Sequence, residues 1–193
     1  MNLQRCRSGG TAVTTRVLFV RAVNVGGTAR LPMADFRRML EDLGALRAQT
    51  YIASGNAVID LPGEWTSTEI AAFDHSVECE LESRFGFCRE VISRSLPALE
   101  DALATHPFAV ADPKWSYVAF LSAAPDVDNT ATARQLPTGK DQWELAGAEL
   151  HMRFDAGFGA ASLDSTALLK RLGVVGTARN LRTVQAIIDL ASR

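Results

Sequence analysis

Cysteine is scarce. The chain of 193 residues has three, Cys6, Cys79 and Cys88, an odd number with no CxxC pair. That excludes a disulfide framework and a zinc knuckle as the basis of the fold. Cys79 falls in a helical pattern and Cys88 in a strand pattern, and both are expected to be buried as small apolar side chains. Histidine is equally sparse. His75, His106 and His151 are not spaced as metal ligands, and no HExxH occurs, so no metal site and no cofactor are expected. The sequence lacks a P-loop and a GxSxG nucleophile elbow. It also lacks any apolar run near the ~20 residues needed to span a bilayer. The start, Met1 to Arg16, carries Arg5, Arg7 and Arg16 without an acid, but has no apolar stretch of the secretory type. It reads as an unordered lead-in, and the chain is expected to be cytoplasmic with no membrane partner.

Excess charge is missing too. Twenty basic and 22 acidic residues give a formal charge of −2, which argues against a basic coat for nucleic acid. What is present is a core: 47% of residues are hydrophobic and 22% charged.

Periodicity places the elements. Val17 to Val23 is a strand-length apolar run ended by Asn24 and Gly26-Gly27. Met33, Phe36, Leu40 and Leu43 recur at helical spacing after Pro32, and Gly44 stops that helix. Ala48 to Ile52 and Ala57 to Leu61 form a hairpin through Ser54-Gly55-Asn56. Thr66 and Glu69 have capping-box spacing ahead of Ile70, Phe73, Val77, Leu81 and Phe85. Phe87 to Ser93 reads as a strand. The order β-α-β-β-α-β over residues 17–94 matches a ferredoxin-like unit.

Residues 95–193 read as a second, less regular α+β half packed on the first. Its expected order is α-β-α-β-β-α-α, with a clear hairpin at 141–154, and it resembles an incomplete copy without sequence repetition. His106 to Lys114, with two prolines, is the expected link.

The first unit has a consequence for function. A helix crossover makes its first two strands parallel. Asn24-Val25-Gly26-Gly27 and Ser54-Gly55-Asn56 therefore fall at the same sheet end. Glycines let backbone N–H groups approach a ligand there, and an anion cradle is the expected chemistry. Strand alternation puts Arg21 on the face opposite Leu18 and Val20, able to fork onto a phosphate or carboxylate or to pair with an acid from the second half. Thr177-Ala178-Arg179-Asn180 precedes the last helix, where an anion is favoured. A cap by Asn180 or Thr177 is the alternative for that segment. The candidate ligand-binding set is Arg21, Asn24, Gly26, Gly27, Ser54, Gly55, Asn56, Thr177, Arg179 and Asn180.

These same segments resemble a bacterial family, the domain-of-unknown-function 1697 family. Its "LRGINVGG" motif is similar to residues Val20 to Gly27, and "TYIQSGN" to Thr50 to Asn56. Its tail "ATTRNWNTV" is similar to Gly176 to Val184, and Pro32-Met33 matches a further signature. The resemblance implies an α+β fold of ferredoxin-like character and no established activity. Where the family has "GRSKL", this chain has Gly159-Ala160-Ala161-Ser162-Leu163, so both basic residues are gone.

Three functions are open at this point. One is a binding module for a small anionic ligand. The second is an enzyme on a phosphorylated or carboxylated substrate, with Ser54 as a nucleophile lacking an identifiable base. The third is a structural role in which the polar residues lock the halves together. RNA recognition is disfavoured, because Ala57 to Leu61 has no aromatic residue on which a base could stack.

Overall fold

The computed structural model describes residues 12–193. The first half runs β1 (Val13–Val20), α1 (Met33–Asp42), β2 (Arg47–Tyr51), β3 (Asn56–Pro62), α2 (Ser67–Phe85), β4 (Val91–Ser95), α3 (Leu96–Ala104). The second runs β5 (Ser116–Leu121), α4 (Val127–Ala133), β6 (Gln142–Ala146), β7 (Glu149–Arg153), α5 (Ser165–Leu172), β8 (Gly176–Asn180), α6 (Leu181–Ala191). Each half forms an antiparallel four-stranded sheet, ordered β2-β3-β1-β4 and β6-β7-β5-β8. The fold is α+β, and the second half repeats the ferredoxin-like order of the first in full.

Three expectations are corrected. β1 begins at Val13, so Val13 to Arg16 are strand rather than lead-in, paired with Pro62 to Ile59 of β3. Residues 1–11, with Cys6, lie outside the described residues. β8 stands where a loop was expected. Gly176-Thr177-Ala178-Arg179-Asn180 has no apolar alternation, and it is strand because β5 supplies its pairing from Tyr117 to Leu121. Cys79 and Cys88 are exposed, not buried. Cys79 lies off the Ile70–Phe73–Val77–Leu81 stripe of α2, and Cys88 precedes β4, which starts only at Val91.

β1 explains the layering. Val17, Leu18, Phe19 and Val20 are all 0% exposed, so the sheet is covered on both faces. Leu18 and Val20 pack with Phe36, Leu40, Phe73, Val77 and Leu81 of α1 and α2. Val17 and Phe19 point into a central layer shared with Val118 and Phe120 of β5. Phe19 and Phe120 stack there with centroids 4.7 Å apart and planes 8° from parallel, adding about 1 kcal/mol to their burial.

The two halves are interlocked. α6 follows the second sheet but packs over β2 and β3 of the first, burying Leu181, Val184, Ile187 and Ile188 beside Val17, Phe19 and Val58. α3 follows the first sheet and turns Ala98, Asp101 and Ala102 toward Ala146, Glu149 and His151 of the second. Each sheet thus owes part of its cover to the other half's last helix.

Two half-buried titrating groups give stability opposite pH dependences. Burial raises the Asp74 carboxyl to about 6, against the Ser93 hydroxyl that donates to it at 2.6 Å. Its folded form therefore keeps a proton that the unfolded chain has lost. Stability from this group is complete below the unfolded value near 4 and is lost as pH rises through 6. His106 faces His151 with Nδ1 atoms 3.1 Å apart, and burial and that neighbour hold it down to about 4. Its contribution is complete above the unfolded value near 6.5 and is lost as pH falls through 4. Asp74→Asn is expected to raise stability at pH 7 by about 1–2 kcal/mol and change little at pH 4. Urea midpoints of both proteins at the two pH values check this. Equal gains at both would refute the assignment.

Candidate functional site

The end of the first sheet is where the topology puts it. Val20 donates its N–H to the carbonyl of Gly55 at 2.8 Å, joining the end of β1 to the β2–β3 turn. Gly55 is required there: its φ is +73°, and a Cβ would sit 2.6 Å from Val23 Cγ2 and 2.9 Å from the Val20 carbonyl. Gly55→Ala is expected to cost about 2 kcal/mol or more, read as a lowered denaturation midpoint. An unchanged midpoint would mean that the turn has another conformation.

Besides Gly55 in the turn and Asn180 at the start of α6, eight of the ten candidate residues fall into three groups. Asn24 braces a loop. Its Nδ2 donates to the carbonyls of Leu31 (2.9 Å) and Ala53 (2.8 Å), and its Oδ1 accepts from the Leu31 N–H (2.9 Å). Gly26 and Gly27 lie at the exposed tip of that loop, both at positive φ with open space around them.

The second group is a clasp. Arg179 reaches from β8 to the other sheet. Its Nε donates to Asn56 Oδ1 (2.6 Å) and its Nη2 to the Ser54 carbonyl (2.8 Å). Its Nη1 donates to Thr177 Oγ1 (2.6 Å) and to the Ala178 carbonyl (2.9 Å). The guanidinium lies over the Phe19 ring, 5.4 Å from its centroid. Asn56 is 0% exposed and donates onward to the Tyr51 carbonyl and Ser54 Oγ. Burial pulls Arg179 down to about 10, so it is still charged at neutral pH. Asn180 is not in the clasp; it caps α6, accepting from the Thr183 N–H at 2.8 Å.

Arg21 stands apart as the third group. It points away from Leu18 and Val20 as alternation requires, but its acid comes from its own half: Glu90, at 3.3 Å. It borders a cleft of about 190 Å³ against Thr166, Leu169 and Lys170 of α5 and Val174 to Gly176. The structure thus brings Ser54, Asn56, Thr177 and Arg179 together in one hydrogen-bonded clasp. Ser54 Oγ accepts from Asn56, and no histidine or carboxylate bonds to it among the described residues.

The clasp has a twin that none of the family motifs marks. Arg94 of β4 donates to Glu149 at 2.9 Å and to the carbonyls of Leu121 and Ala148, and lies over Phe120. The registers make it the counterpart of Arg179. Phe19 pairs with Asn56 and Ile92 as Phe120 pairs with Glu149 and Thr177. The signal was available: Arg94-Ser95-Leu96 and Arg179-Asn180-Leu181 share an arginine, a capping residue and a leucine that opens the helix.

Among the described residues no group of three or more histidine, cysteine or acidic side chains could hold a metal. Among the described residues no helix is long and apolar enough to cross a membrane.

This architecture defines a duplicated ferredoxin-like α+β protein. The chain belongs to the family described as "Protein of unknown function (DUF1697)", whose model matches residues 13–151. The Gly176–Val184 tail lies beyond the matched span. No curated protein matches the chain. It is similar to the solved structure of the conserved bacterial protein SP0830 from Streptococcus pneumoniae. The TM-score is 0.66 at 21% identity, over 93% of this chain and 99% of that one, a likeness of fold. A second solved structure, described as a glycine cleavage system transcriptional repressor, aligns over 86% of this chain and 96% of its own at 9% identity and a TM-score of 0.22.

Proposed function

We propose that the protein is a binding module for a small ligand carrying an anionic group, held in the cleft between its halves. The observation that carries this reading is the meeting of Arg21 from the first half with Lys170 and Thr166 from the second around about 190 Å³. That volume suits a phosphate or carboxylate head group with a few attached atoms. Glu90 holds Arg21 only at 3.3–3.4 Å, the long limit of a hydrogen bond, so the guanidinium fork is free to turn to a better acceptor. Lys170 makes no ion pair among the described residues.

Backbone strain supports the same end of the molecule. Ala22, Asn24, Ala29 and Ile52 are the four non-glycine residues at positive φ among those described. They sit in the loop after β1 and in the turn that Asn24 ties to it. Such conformations cost about 1–3 kcal/mol each and gather where a chain is held for a purpose other than stability.

Thermal shift against inorganic phosphate, a sugar phosphate, a nucleotide and citrate tests this, because a ligand of the folded state alone raises the melting temperature. A shift abolished by both Arg21→Ala and Lys170→Ala is the expected result. A shift unchanged in both variants, or none with any anion, would sink it. A purely structural reading is favoured by one observation: every bond that Arg179 makes is internal. On that reading the family signature maintains the fold, and no anion would raise the melting temperature.

A further inference from the structure

We infer a second ligand site, distinct from the anion cleft: a groove of about 600 Å³ between α6 and the edge strand β2, fit for a small molecule with an apolar, ring-sized body and one acidic group. The volume falls within the range of small-molecule sites. Its walls are Tyr51 of β2, Leu103 at the end of α3, Pro113 of the linker, and Leu181 and Ala186 of α6.

Charge selects the end group. Arg182 and Asp189 stand at opposite ends of the α6 face, two helical turns apart. Asp189 is already engaged by the Gln185 amide at 2.9 Å. Arg182 has its backbone N–H on the Pro113 carbonyl, and its guanidinium forms no ion pair among the described residues. An acidic group is attracted to the Arg182 end and repelled from the Asp189 end, which orients the ligand.

The duplication supplies an independent argument. The counterpart groove, between α3 and the β6–β7 edge, holds only about 150 Å³. Ala146 and Asp101 there stand at the positions of Tyr51 and Ala186. His151 closes it, backed by His106 at 3.1 Å, whereas the equivalent positions in the other half, Val58 and Ala191, pack into the central layer. Of two equivalent grooves, one is filled by its own side chains and the other is left open, with an aromatic wall and an unpaired cation.

Anilinonaphthalene sulfonate, an aromatic body with one sulfonate, is the probe, and its fluorescence enhancement on the whole protein is the readout. The expected result is saturable binding at one site. Arg182→Ala, on an exposed helix face, weakens it about tenfold, and Ala186→Trp, which fills the groove, abolishes it. Phenylnaphthylamine, lacking the acid, binds equally to the parent protein and Arg182→Ala. Arg21→Ala and Lys170→Ala leave the sulfonate probe unaffected, separating this site from the anion cleft. Absence of saturable enhancement, or enhancement that survives Arg182→Ala or Ala186→Trp at full strength, would overturn the proposal. Circular dichroism of each variant confirms that the fold is retained.

Discussion

Arg179→Ala is expected to destabilise the protein by about 3 kcal/mol, a fall in melting temperature of roughly 6–12 °C for a chain of this size. The substitution removes donors from Asn56 Oδ1, the Ser54 carbonyl and Thr177 Oγ1, and Asn56 and Thr177 are buried from water. Each hydrogen bond to a charged group is worth about 1.5–3 kcal/mol, while release of a buried cation returns part of that sum. Arg179→Lys rescues little, because one ammonium cannot reproduce a planar fork that serves four acceptors. Arg94→Ala is at least as damaging, since it leaves the Glu149 carboxylate unpaired. Arg21→Ala, which breaks a half-exposed pair, stays within about 1 kcal/mol. Urea denaturation of the four variants measures all of this. Equal, small effects throughout would mean that the clasp does not join the halves.

A chain ending at Asn180 is expected to lose cooperative folding altogether, in the first half as well as the second. The reason is the crossing of α6. Without it Val17, Phe19 and Val58 lose Leu181, Val184, Ile187 and Ile188, all buried, and the inner face of the first sheet opens to water. At roughly 1.5–3 kcal/mol for each large apolar side chain, the loss approaches the whole stability of a small domain. Near-ultraviolet circular dichroism distinguishes the outcomes. A truncated chain that keeps a sharp thermal transition would show that the first half stands without its borrowed helix.

Much of this was legible from residue order. The β-α-β-β-α-β order followed from period-two and period-3.6 patterns, and the meeting of the Asn24 loop with the Ser54–Asn56 turn followed from a helix crossover. The hidden part was what a strand takes from its neighbours. β8 is polar and short, and its strand character comes from Tyr117 to Leu121 alongside it. Without that strand the second half is incomplete in its pattern, and Arg94 has no counterpart. The candidate site suffered likewise: sequence places Arg179 near Asn56, but whether the guanidinium faces a cavity or four internal acceptors is a matter of packing. Lys170 and Thr166 sit on a helix whose position over Arg21 no local pattern encodes.

Hydrogen exchange on Arg179→Ala tests the interlocked pair most directly. Mutual cover predicts that amides of β3 and of β7, in different sheets, lose protection together and by the same free energy. Loss confined to β8 and the turn before β3, with β7 still protected as in the parent protein, would contradict it.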